Sequence, residues 1–133
     1  MKLTRRSEYS LLALIYLGRS PRQAWVPLAR LAQAQGIPVR YLEHLVTAMC
    51  RAGMVESSKG QHGGYRLARD PTTITLAGIS RLFDGALAPV DSVSRHFYQS
   101  TPIEREERVL SVLKEIRDFT AGKLEGTTLA DIL

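Results

Sequence analysis

The chain has 133 residues, a net charge of +5, 44% apolar residues and one cysteine. That length fits one domain, or one domain with an extension. A lone thiol excludes an internal disulfide and any zinc or iron–sulfur site built from the cysteines of one chain. The longest apolar block, residues 11–17, is too short to cross a bilayer. The charged residues Lys2, Arg5, Arg6 and Glu8 precede only this short block. That is not a signal-peptide pattern, so the expected location is the cytoplasm. The charge is uneven: residues 1–71 carry 11 Lys and Arg against 4 Asp and Glu, whereas residues 72–133 carry 7 against 9. A basic front and a faintly acidic back suit a nucleic-acid-facing half joined to an assembly half.

In chain order, Thr4 is placed to cap a first helix running to about Leu17, with Gly18 as its stop. The run Leu11-Leu12-Ala13-Leu14-Ile15 is apolar on nearly every side, so this helix is expected to be covered on more than one face. Residues 19–24 read as a polar loop. Pro27 suits the first turn of a second helix, Leu28 to Gln35, with Leu28, Leu31 and Ala32 inward and Gly36 as its end. Pro38 opens a third helix, Val39 to about Ala52, closed by Gly53. Met54 to Ser57 and Tyr65 to Leu67 read as strands joined by the loop Lys59-Gly60-Gln61-His62-Gly63-Gly64.

Thr75 caps a short helix, Leu76 to Phe83, stopped by Gly85. Residues 86–100 show no strong period and read as loop. Thr101-Pro102-Ile103-Glu104 joins a capping box to a proline at the first helical position. Glu106 and Glu107 add negative charge near the positive end of the helix dipole. The sequence therefore predicts a long helix from here to about Ala121, and Thr128-Leu129-Ala130-Asp131 suggests one last turn.

Three helices, a tight turn at Gly36 and a glycine-tipped hairpin, in that order, make a winged helix–turn–helix: mainly α, with a small β-hairpin wing. In the third helix Leu42, Leu45, Val46 and Met49 fall on one face. Arg40, Glu43, His44, Thr47 and Arg51 fall on the other. The major groove admits such a helix, and its base edges carry a readable donor and acceptor pattern. Arg40 lies near the helix start, where recognition helices touch bases, and can pair with guanine. Glu43 can accept from a cytosine amino group, and His44 and Thr47 can serve bases or phosphates. Gly60, Gly63 and Gly64 let the wing turn sharply and approach a partner, with Lys59 free to meet a phosphate or enter a minor groove. His62 is assigned to the same surface, and Tyr65 to packing beneath the wing. A phosphate-cradling enzyme loop is a weak reading of the same glycines, which lie in a hairpin and not before a helix.

These strings resemble the Rrf2 family of transcriptional regulators. The resemblance rests on Met1-Lys2-Leu3-Thr4, Gly36-Ile37-Pro38, Tyr41-Leu42-Glu43 and Ala52-Gly53-Met54-Val55. In the wing it rests on Ser57, Lys59, Gly60 and Gly63-Gly64-Tyr65-Arg66-Leu67-Ala68, followed by Ile74-Thr75-Leu76. It is close over residues 1–85 and extends to the rest only in helical layout. It implies a homodimer whose long C-terminal helix crosses its partner. It also implies base contacts from Arg40, Glu43 and His44, a backbone contact near Tyr41, and wing contacts from Ser57 and Lys59. The resulting division is a DNA-binding domain over 1–85, a linker and sensing loop over 86–100, and a dimerisation unit over 101–133.

Along the long helix, Val109, Val112, Ile116 and Phe119 recur every three or four residues, with Leu110 and Leu113 beside them. Such a stripe serves either as a dimer seam or as an ordinary core face. Many members of the resembled family hold an iron–sulfur cluster through three cysteines between the short and the long helix, and this chain has none there. Ser and Tyr are poor substitutes for thiolates, so no cofactor is expected. Cys50 reads as a small, half-buried apolar residue and His96 as a surface or packed one. A metabolite or a partner protein is then left as the effector. No paired carboxylates, activated nucleophile or metal set suggest an enzyme. A winged helix used solely for protein contacts is the alternative to DNA binding.

Overall fold

The computed structural model describes residues 1–133 in full. Helix α1 (Arg5–Arg19) begins at Thr4, whose hydroxyl accepts the Ser7 N–H. It does not stop at Gly18. It runs to Arg19 and closes where the Ser20 N–H donates to the carbonyls of Tyr16 and Leu17. Gly18 serves space instead: a Cβ there would lie 2.8 Å from a Leu133 methyl. Ala13, Leu14 and Leu17 of α1 are buried, and Leu11, Leu12, Ile15 and Tyr16 pack against the same core from other sides. The all-round apolar helix is thus covered on more than one face.

Helix α2 (Leu28–Gln35) ends at Gly36, whose left-handed φ of 66° turns the chain within a few residues into α3 (Val39–Arg51). The wing follows as β1 (Val55–Ser58) and β2 (Gly64–Leu67), antiparallel with Val55 opposite Leu67 and Ser58 opposite Gly64. A third segment joins it: Val26 and Tyr65 exchange backbone hydrogen bonds of 2.9 and 2.8 Å. This contact explains Gly64, and the hairpin turn itself explains Gly63. A Cβ on Gly64 would lie 2.3 Å from the Val26 carbonyl oxygen, and one on Gly63 2.1 Å from that of Ser58. Both answer crowding within this chain, from the hairpin and from the segment before α2, whereas the sequence suggested a close approach to a partner.

Helix α4 (Leu76–Asp84) is capped by Thr75, which accepts the Gly78 N–H at 3.0 Å, and it ends at Gly85. Residues 86–100 are irregular except for a 3-10 turn at Asp91–Val93. The capping box expected at Thr101 does not form. The Thr101 hydroxyl donates to Ser92 Oγ at 2.7 Å, and the Glu104 carboxylate is taken by the hydroxyls of Tyr98 and Ser100. Pro102–Arg105 is a separate 3-10 turn, and α5 spans Glu107–Glu125, starting later and ending later than the sequence suggested. A closing 3-10 turn, Ala130–Ile132, lies where one last turn was expected.

One core gathers Leu14, Leu31, Leu42, Val46, Met49 and Ile79 from the first four helices, with Ile74 from the segment before α4. Val55 and Leu67 reach it from the wing and Leu129 from the C-terminal turn. The Leu129 N–H donates to the Ile74 carbonyl at 2.7 Å, so the end of the chain is stitched onto the start of α4. A second, three-residue cluster of Ala77, Leu87 and Ala121 joins α4, the loop and α5. Ala121 is the one buried residue of α5; most of that helix is left bare by its own chain.

Candidate nucleic-acid interface

The burial of α3 divides it as its periodicity requires. Leu42, Leu45, Val46 and Met49 are buried, while Arg40, Tyr41, Glu43, His44, Thr47 and Arg51 are all exposed along the other side. Anchoring by four core side chains makes α3 a rigid platform, and the Gly36 turn fixes its angle to α2. The Thr47 hydroxyl donates to the Glu43 carbonyl at 2.8 Å. Its proton is therefore spent within the helix, and its lone pairs remain for a donor. None of the four ion pairs in the molecule involves Arg40, Arg51 or Lys59. Their charge is uncompensated by the protein and open to a polyanion.

On the wing, Ser57, Lys59 and Gly60 are exposed, and Gly60 turns the tip with a φ of 104° over open space. The wing is held by contacts the sequence reading did not anticipate. The Arg66 guanidinium lies 3.9 Å from the centre of the Trp25 ring and pairs with Glu56 at 2.6 Å. A cation stacked and paired in this way braces β2 against the segment that leads into α2. Tyr65 packs against the core from below, and burial pushes its hydroxyl above the usual phenol range, with Cys50 and Glu43 adding to the effect. Cys50 is half-buried beside the same core, and burial raises its thiol too.

The structure adds a residue pair to this surface. The Tyr9 ring meets Tyr41 edge-on at 5.7 Å, and the Arg5 guanidinium lies 6.0 Å from the Tyr9 ring centre. Arg5 and Tyr9 therefore extend the exposed basic face of α3 onto the first turns of α1. Their spacing of four residues on one helix was the available signal.

The model of the Rrf2 family, described as an iron-dependent transcriptional regulator, matches residues 3–133. The chain belongs to the Rrf2 family. It is 32% identical to the transcriptional regulator CymR of Bacillus subtilis over 132 residues, covering 99% of this chain and 89% of that protein. It is 37% identical to IscR of Vibrio vulnificus over 84 residues, 63% of this chain and 50% of that one. The solved structure of B. subtilis CymR, described as the global cysteine regulator of that organism, superposes with a TM-score of 0.79 at 31% identity, covering 99% of this chain and 95% of that one. An IscR structure from T. potens gives 0.66 at 30% identity, covering 99% and 85%. The chain is therefore an Rrf2-type DNA-binding transcriptional regulator with a winged helix–turn–helix fold, and its relatives form a non-enzymatic class.

The donor chemistry of this Rrf2 chain does not fit the iron of the family description. The only cysteine, Cys50, lies on α3, and no three His, Cys, Asp or Glu side chains stand together as a ligand set. Between α4 and α5 the polar groups serve one another. Ser92 Oγ accepts from Thr101, Ser94 Oγ accepts the Phe97 N–H at 2.9 Å, and Tyr98 and Ser100 donate to Glu104. Hard hydroxyls engaged in this way, beside Arg95 and Arg117, offer iron no thiolate, and the exposed Asp91 carboxylate stands in no ligand set. No helix of the chain is long and apolar enough to cross a membrane.

Proposed function

We propose that this protein is a sequence-specific repressor, acting in the cytoplasm as a homodimer on a near-palindromic operator without an iron–sulfur cluster. Residues 1–85 read the DNA, and α5 in 101–133 forms the seam. The observation that carries this reading is the joint exposure of the outer side of α3 and of the wing. Arg40, Glu43 and His44 on α3 and Ser57, Lys59 and Gly60 on the wing are all open to solvent, and none of the four ion pairs ties up Arg40 or Lys59. On this reading α3 lies in the major groove. Arg40 donates to a guanine edge, Glu43 accepts from a cytosine amino group, and His44, Thr47 and Arg51 touch neighbouring bases or phosphates. Tyr41 sits against the sugar–phosphate backbone. Lys59 and Ser57 hold the flanking backbone or minor groove as the wing closes over it.

The seam is supported by what α5 leaves uncovered. Val109, Val112, Ile116 and Phe119 are 44%, 54%, 46% and 78% exposed, with Leu113 half-buried beside them. An apolar stripe of this length in water favours self-association, and a two-fold axis along it would set two α3 helices on two half-sites. Repression then follows from occupancy, since a protein seated on a promoter excludes the polymerase.

Selection of bound duplexes from a random library, paired with sedimentation of the free protein, tests the reading. The expected results are an enriched inverted repeat and a dimer. A pool without any motif, or a monomer at micromolar concentration, would contradict it.

A further inference from the structure

Away from the DNA-facing surface, a small cleft opens between α4, the 86–100 loop and α5. Its walls bring together Arg81 from α4, Arg95 and His96 from the loop, and Arg117 from α5, over a floor of Leu87 and Ala121. This gathering runs against the charge of its surroundings, since residues 72–133 carry fewer cations than carboxylates. Two carboxylates face the cations. Glu125 pairs with Arg81 at 2.5 Å, and Asp118 lies 2.7 Å from Arg95 and 2.9 Å from Arg117. Three guanidiniums against two carboxylates leave an excess positive charge even with His96 neutral.

Donors are also in excess. Arg117 is largely consumed, holding Asp118 and the Val93 carbonyl. Arg81 and Arg95 each use a single nitrogen, although a guanidinium carries five N–H donors. The backbone N–H groups of Arg95 and His96 have no acceptor in the protein. The cleft encloses about 230 Å³ including its open mouth, but its floor admits little more than one water-sized group. A compact anionic head fits there, with any larger body lying outward over the exposed His96 and Phe97.

We propose that the cleft between Arg81, Arg95, His96 and Arg117 binds a small oxyanion, a carboxylate, phosphate or sulfate group, as the effector of this regulator. Forked guanidinium donors match the planar or tetrahedral oxygens of such groups, and two of the three arginines stand with most donors unspent. The position gives binding a consequence. The ligand would bridge α4, which packs on α1 of the DNA-facing half, to α5, the proposed seam. Occupancy and DNA affinity are then linked reciprocally. This regulatory half rests on the DNA-binding reading above; the site itself does not.

The test is an amide and arginine side-chain NMR titration of the full chain, without DNA, using sodium sulfate, phosphate and acetate against sodium chloride at matched ionic strength. Saturable shifts confined to residues 94–97 and to the Arg81 and Arg95 side chains are expected for at least one oxyanion. Arg95→Gln and Arg81→Gln should each weaken that binding about tenfold or more, the loss of one charge-assisted contact. Glu125→Gln should strengthen it, because it removes the carboxylate that now competes for Arg81; a merely structural ion pair would not give that gain. No saturable shift with any of the three anions, or equal affinity in wild type and all variants, would overturn the site. If the site binds, the selected duplex is titrated with and without saturating anion, and equal DNA affinity would overturn the effector role.

Discussion

Phe119 gives the seam its sharpest test. A phenylalanine exposes about 200 Å² when free, and at 78% exposure roughly 150 Å² awaits a partner. Alanine at the same place leaves roughly 90 Å² less to bury, worth about 2 kcal/mol per copy. A two-fold interface counts each substitution twice, so Phe119→Ala weakens the dimer by about 4 kcal/mol, on the order of a thousandfold in dissociation constant. The single chain should hardly notice, because Phe119 belongs to neither core cluster and an exposed helical alanine costs nothing. Sedimentation equilibrium measures the first quantity, and urea unfolding of the monomer, followed by circular dichroism, measures the second. A variant that dimerises like wild type, or one whose monomer loses stability, would refute the reasoning.

Arg40→Ala should cost about 1–3 kcal/mol of operator affinity and relax preference at one base position, read by competition with single-base operator variants. Lys59→Ala should weaken binding evenly across sequences and reduce the slope of log affinity against log salt by about 1. Gly64→Ala places a methyl 2.3 Å from the Val26 carbonyl oxygen and should lower the urea midpoint by the equivalent of about 3 kcal/mol with an unchanged slope. Burial raises the Cys50 thiol, so at neutral pH it stays protonated and should react with a disulfide reagent far more slowly in the native protein than in urea. Equal rates would contradict that assignment.

The N-terminal half was legible because its signals are local. Thr4 and Thr75 cap as their positions suggest, and Gly36 takes the left-handed turn between α2 and α3. The period of Leu42, Leu45, Val46 and Met49 sets which side of α3 faces out. The failures are tertiary. Gly18 looks like a helix stop, yet it lies within α1, where a Cβ would crowd Leu133. Thr101 and Glu104 have capping-box spacing, but Ser92, Tyr98 and Ser100 hold them first, and α5 begins at Glu107 instead. The Val26–Tyr65 bridge and the Arg66–Trp25 stack join residues some forty apart, which no local pattern reports. Arg5 and Tyr9 were missed as companions of Tyr41 because they lie on a different helix.

The central claim is that the outer side of α3 and the wing tip lie along the duplex. An amide chemical-shift map of the full chain with its selected operator tests it most directly. The account predicts the largest changes at residues 40–51 and 57–60, with α5 unmoved except through the cleft near Arg117. Changes concentrated on α5 or on the far side of α2, with Arg40 and Lys59 silent, would contradict it.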